Sequence, residues 1–352
     1  MCSEPLQDEG CTESPPPPCL TRQESALRSP VTPARSLMPL TRLPLQDSPA
    51  HAERCQRLLD LPRDYARNIA FETCRVLEAG SYTATFLSGE QVRVDIRAQL
   101  TQERARKVSL APADPLDRVA REHLGVSLEE ARAPRAAETR VWVSNEPSLT
   151  AARAFAARGG RPCVLNFANG ATPGGGFLTG SRAQEESLCF ASTLYSSIKG
   201  DPMYALHRRR ADHSSSAHLI LSTATAIRDE EQRFIPAPWE MTVLTCAAPV
   251  CDTRTPRAPH LVTPAQGALL MRERVERVLD VAAAAGCTHL VLGAWGCGAF
   301  RNDPVEVARL FEEALEARAG AFEEVVFAIS DWSEERRFLA PFARRFSAGA
   351  SS

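Results

Sequence analysis

Residues 166–188 read NFANGATPGGGFLTGSRAQEESL: Gly174, Gly175 and Gly176 in a row, then seven residues, then Gln184, Glu185 and Glu186. A loop without Cβ atoms lets backbone N–H groups approach a bulky anion, and a helix N-terminus following it adds a positive dipole. Two carboxylates beside such a site supply acid–base chemistry if one keeps its proton near neutral pH. Burial and neighbouring charge raise a carboxyl pKa, whereas the helix dipole lowers it. The sequence does not decide that contest. Acids in a first helical turn are by themselves usually solvated; what gives these a functional reading is their place directly after the triple glycine.

A second glycine loop, GAWGCGAFRNDP, carries Gly293, Gly296, Cys297, Gly298 and Phe300, with Asp303 as helix N-cap and Pro304 at the first helical position. The second loop alone reads equally as a tight strand-to-helix turn, the first less so. Together, two such units can clamp one diphosphate from both sides.

Those loops need strands before them and helices after them. Apolar runs at 139–144, 162–167, 218–223, 241–248, 288–294 and 323–330 predict strands. Helical patterns occupy about 147–157, 183–198, 265–285, 303–318 and 333–346. Ser181 with Gln184 fits a capping box, which would start the helix bearing the glutamates near Ser181. The fold class is therefore α/β, a mixed sheet sandwiched between helices, with ligands at the strands' carboxyl ends, where the glycines fall.

Residues 1–50, rich in Pro and Ser, read as a disordered tail. Residues 51–138 form an N-terminal accessory region: a helix over 51–80 with a glycine stop, two short strands, then a poorly determined Ala/Arg/Glu-rich stretch. Residues 139–347 form the catalytic domain. The 352 residues carry a formal charge of −2, which argues against general DNA binding. No apolar run is long enough for a membrane span and no secretory signal is evident, so the expected location is cytoplasmic or nuclear. Eleven cysteines without a C-x-x-C pair predict neither disulfides nor a zinc site. The run His207, Asp212, His213, His218 reads as a solvated loop, Arg208–Arg210 as a solvated charge run, and Trp295 as core packing.

GGG-x₇-QEE resembles the signature of poly(ADP-ribose) glycohydrolases, and NFAN…PGGG resembles the ribose- and phosphate-binding entry of macrodomains. The second loop and RNIAFETCRVLEAGSY resemble the microbial-type branch of these enzymes. The likeness covers roughly 55–346 and omits the tail and the polar insert at 199–217. It implies a macrodomain-like, monomeric enzyme that needs no cofactor or metal. Its substrate would be poly(ADP-ribose) or ADP-ribosylated proteins, cleaved at ribose–ribose O-glycosidic bonds from chain ends. By the same resemblance Glu186 is the acid/base, Glu185 binds ribose hydroxyls, Gln184 buttresses both, and Asn169 holds the distal ribose. Gly174–Gly176 and Gly296–Gly298 take the diphosphate, and Phe300 stacks on adenine.

The residue types suit that reaction. A carboxylic acid protonates the departing oxygen and, as carboxylate, activates water. Adjacent residues in one helical turn cannot straddle a glycosidic bond, so both proton transfers fall to Glu186. Two other readings compete: a macrodomain that binds ADP-ribose without turnover, which would be expected to lack the glutamate pair, and a dinucleotide-dependent oxidoreductase, which lacks a G-x-G-x-x-G loop followed by the expected acid.

Overall fold

The computed structural model of the chain describes residues 39–210, 214–251 and 262–349. Six strands follow one another in parallel: β1 (Leu40–Arg42), β5 (Thr139–Ser144), β10 (Glu324–Ala328), β9 (His289–Leu292), β6 (Pro162–Phe167) and β8 (Phe234–Cys246). Two antiparallel strands, β7 (Leu219–Arg228) and then β4 (Val108–Leu110), complete this mixed sheet. A separate hairpin pairs β2 (Ser81–Thr85) with β3 (Gln91–Asp95).

The inner strands are buried at nearly every position because helices cover both faces. Alternation sends Leu165, Leu292 and Phe327 into one layer and Val164, Val291 and Val326 into the other. The first layer comprises α4 (Leu116–Leu124), α5 (Leu128–Ala131), α10 (Pro264–Ala284), α11 (Pro304–Glu316) and α12 (Leu339–Phe346). Phe327 sits at its centre, 4.3 Å from the ring of Phe346 and 5.4 Å from that of Phe311. Burying each such ring contributes about 1.5–3 kcal/mol.

The second layer comprises α2 (Arg63–Ala79), α6 (Ser148–Ala157), α7 (Gln184–Ala191), α8 (Leu194–Ile198) and α9 (Pro202–Arg208). The hairpin and α3 (Arg97–Arg106) enclose a smaller cluster around Tyr82, Ile96 and Leu100. α1 (Pro49–Leu59) precedes α2 across a short link at Pro62, whose ring cannot continue a helix. The expected single helix over 51–80 is therefore two, the second stopped at Gly80 in the left-handed conformation (φ 67°).

Three further expectations change. The segment read as tail through residue 50 enters the fold: Leu40–Arg42 pairs with Thr139–Val141, and Arg42 bonds Glu312 at 2.8 Å. Residues 1–38 lie outside the described residues. The accessory region is not separate from the sheet at 138/139, because its β4 forms one edge of the main sheet. Of the polar run expected to be a solvated loop, His207 and His218 are buried, and His207 bridges Gly170 O at 3.0 Å and Ser216 Oγ at 2.7 Å. Burial lowers the His207 pKa to about 4, so it packs as a neutral ring. Asp212 and His213 lie outside the described residues.

Candidate active site

The loops after β6 and β9 leave adjacent parallel strands at their carboxyl ends and diverge, one into α7 in the second layer and the other into α11 in the first. Between them is a cavity of about 430 Å³. Asn169, Gln184, Glu185, Glu186, Gly296, Gly298 and Phe300 all line it.

The helix carrying the glutamates starts at Gln184, not near Ser181, and its N-cap Ala183 makes no side-chain cap. Gln184 turns back to the sheet instead. Its Oε1 accepts from Phe167 N at 2.9 Å, and its Nε2 donates to Leu165 O at 2.8 Å. This ties the first turn of α7 to the end of β6.

Both glutamates are buried, Glu185 to 3% exposure and Glu186 to 6%. Glu185 Oε2 accepts from Asn169 N at 2.7 Å, and Oε1 accepts from Asn166 Nδ2 at 3.4 Å. Burial pushes the Glu185 pKa up to about 8; the Asn169 bond pulls it down and the neighbouring Glu186 charge pushes it further up. Glu186 Oε1 accepts from Gly176 N at 2.7 Å, while its Oε2 is buried with no partner among the described residues.

The triple glycine does different work from the anion cradle expected of it. Gly175 N–H donates to Thr172 O and Gly176 N–H to Glu186 Oε1. Gly175 adopts φ 57°, and the space a Cβ would fill there is taken by the carboxylates of Glu185 and Glu186. These glycines hold the acids rather than an open anion site.

The second loop fits the anion role better. The N–H groups of Gly296, Gly298, Ala299 and Phe300 donate to no acceptor among the described residues, and all four residues line the cavity. Asn302 Nδ2 fixes the loop by donating to Pro249 O at 2.8 Å and Gly296 O at 3.1 Å. Gly296 (φ 76°) has no room for a Cβ, which would strike Ala248 and Asn302. The Cys297 thiol is buried in the first layer and does not reach the cavity. Phe300 packs one side against that core.

Asn169 Oδ1 accepts from Ala171 N and Thr172 N, both at 2.9 Å, and its Nδ2 has no partner among the described residues. Trp295 is core, as expected. Arg208 of the arginine run donates to Ala171 O at 2.6 Å. The sequence reading missed Arg182, Trp332 and Phe338, which also line the cavity. Trp332 lies in the loop after β10 and Phe338 is the N-cap of α12; no motif marks either.

Residues 70–229 match the family model for the catalytic domain of microbial-type poly(ADP-ribose) glycohydrolase. The crystal structure of poly(ADP-ribose) glycohydrolase from Thermomonospora curvata is 38% identical, with a TM-score of 0.69, covering 80% of this chain and 100% of that one. The same enzyme bound to the inhibitor ADP-HPD is 37% identical, with a TM-score of 0.68 and the same coverage. The Deinococcus radiodurans enzyme in complex with ADP-ribose is 38% identical, with a TM-score of 0.59, covering 70% of this chain and 96% of that one. No curated protein matches.

The helix-flanked mixed sheet and its carboxylate-lined cavity define a macrodomain-like hydrolase of glycosidic bonds. The chain belongs to the microbial-type poly(ADP-ribose) glycohydrolases.

Proposed function

We propose that Glu186 is the general acid and base that cleaves the ribose–ribose bond at the ends of poly(ADP-ribose). The observation that carries this is the unpartnered Glu186 Oε2, buried on a cavity wall with its other oxygen pinned by Gly176 N–H. A buried acceptor without a partner is costly unless a ligand supplies one. Protonated, this oxygen donates to the departing oxygen of the neighbouring unit; as carboxylate, it accepts from the attacking water.

In this reading the protonated Glu186 gives its proton to the departing ribose oxygen as the anomeric C–O bond breaks. Its carboxylate then takes a proton from the water that adds to the resulting oxocarbenium-like carbon, which restores the acid. Glu185, its pKa pushed up to about 8, keeps its proton at neutral pH and offers a hydrogen bond to a ribose hydroxyl.

The amides of Gly296, Gly298, Ala299 and Phe300 hold the diphosphate, Asn169 Nδ2 a ribose hydroxyl, and the Phe300 ring the adenine. The ADP-ribose bound in the Deinococcus radiodurans relative supports a site of this kind. Every group invoked comes from one chain, so a monomer suffices, and polymer attached to ADP-ribosylated proteins is its natural target.

The test is the product from purified poly(ADP-ribose). Single ADP-ribose units from the first time points support end trimming. Early oligomers refute it, and intact polymer refutes the reaction.

A further inference from the structure

Arg182 stands three residues before Glu185 and is the cationic residue lining the cavity among the described residues. Its guanidinium donates to Asp60 Oδ1 at 3.0 Å and to the carbonyl of Leu61, which ties the first glycine loop to the link between α1 and α2. Both side chains of this ion pair are open to water, 37% and 57% exposed, and pairs so exposed add little to stability.

The placement is informative. The unbonded amides at 296 and 298–300 belong to the loop that enters the first layer, whereas Arg182 precedes α7 in the second, beside Leu59 of α1, which lines the same cavity. In the glycohydrolase reading, a diphosphate resting on those amides brings the anomeric carbon to Glu186, and the polymer beyond the broken bond leaves on the side of the acid that protonates it. Arg182, four residues before Glu186, is the cation that the α7 side of the cavity offers among the described residues.

We infer that Arg182 binds a phosphate of the leaving polymer unit and so makes the site selective for polymer over small leaving groups. An arginine fork matches phosphate oxygens in two-point geometry, and the exposed Asp60 holds it ready until phosphate displaces it. This rests on the glycohydrolase reading above, because it concerns the leaving side of that reaction.

The experiment compares kcat/KM for poly(ADP-ribose) with that for ADP-ribose carrying an aryl leaving group on its anomeric carbon, alongside the Kd for free ADP-ribose. In Arg182→Gln the polymer-to-aryl ratio should fall tenfold or more, chiefly through a higher polymer KM, and Arg182→Lys should recover part of it. Asp60→Asn, which keeps and frees the guanidinium, should lower the polymer KM. A ratio within twofold of the parental value overturns the assignment. So does a Kd for free ADP-ribose that rises in step with the polymer KM, since Arg182 would then serve the released unit. A parental protein inactive on polymer overturns the glycohydrolase reading as well, whereas an active parent with an unchanged ratio overturns this assignment alone.

Discussion

The backbone N–H of Gly176 donates to Glu186 Oε1 at 2.7 Å, which fixes one carboxylate oxygen and leaves the other buried at the cavity with no partner among the described residues. The loop and the acid are thus one device: residues without Cβ atoms let the main chain come close enough to hold a carboxylate at a set angle. A loop built only to receive phosphate would instead present its amides outward.

Gly175→Ala tests that coupling. Its φ of 57° is costly for alanine, of order 1–3 kcal/mol, and the added methyl meets both carboxylates. The melting temperature should fall, and kcat should fall by up to about a hundredfold, roughly what an ångström-scale displacement of a catalytic group can cost. A folded Gly175→Ala protein with parental kcat would show that the glutamates do not depend on this loop.

Glu185 makes stability depend on pH. Its folded pKa, about 8, lies above the ordinary 4.5, so across that window the folded state keeps a proton that the unfolded chain has released. Stability therefore falls as pH rises from about 4.5 to about 8, and this group adds no further change above that. Glu185→Gln removes the effect. The urea midpoint of the parent should decline relative to Glu185→Gln between pH 5 and 8.5; parallel curves would place the titration elsewhere.

The N-terminal edge gives a second stability test. A chain starting at residue 49 loses β1, the Arg42–Glu312 bond at 2.8 Å and the Ser48 cap of α1, relative to one starting at residue 39. Losing these should lower the melting temperature by more than about 2–4 °C, the shift that 1 kcal/mol gives in a large domain. Equal melting temperatures would mean the strand contributes nothing to the sheet.

Legibility in the sequence followed the length and regularity of each pattern. Strands such as Pro162–Phe167 and Glu324–Ala328 were evident because continuous apolar runs need cover on both faces. The three residues of β1 are too few to show a period and sit among prolines and serines. The start of α7 was misread because Gln184 looks like a capping partner of Ser181, whereas its amide is held by Leu165 and Phe167 on the strand. His207 and His218 look solvated beside serines and arginines, and only the packed structure reveals that they are buried. Arg182 carried no signal of its own, since its position in the cavity depends on a contact with Asp60, more than a hundred residues away.

Glu186→Gln tests the central claim most directly. Gln keeps the shape and an oxygen for Gly176 N–H but has no proton to give, so hydrolysis of poly(ADP-ribose) should fall by roughly 10²–10⁴-fold, the usual loss of general acid–base catalysis. Affinity for ADP-ribose should stay near parental, because the proposed diphosphate contacts lie on the loop at 296–300. Phe300→Ala, in the same titration, should cost about 1–3 kcal/mol of binding through the lost stacking on adenine. The decisive measurement is the single-turnover rate of ADP-ribose release by Glu186→Gln, with a melting curve that shows it folded. A rate at least a hundredfold below the parent, with binding retained, is the predicted result; a near-parental rate would contradict the assignment and move the proton transfers to Glu185 or to another group.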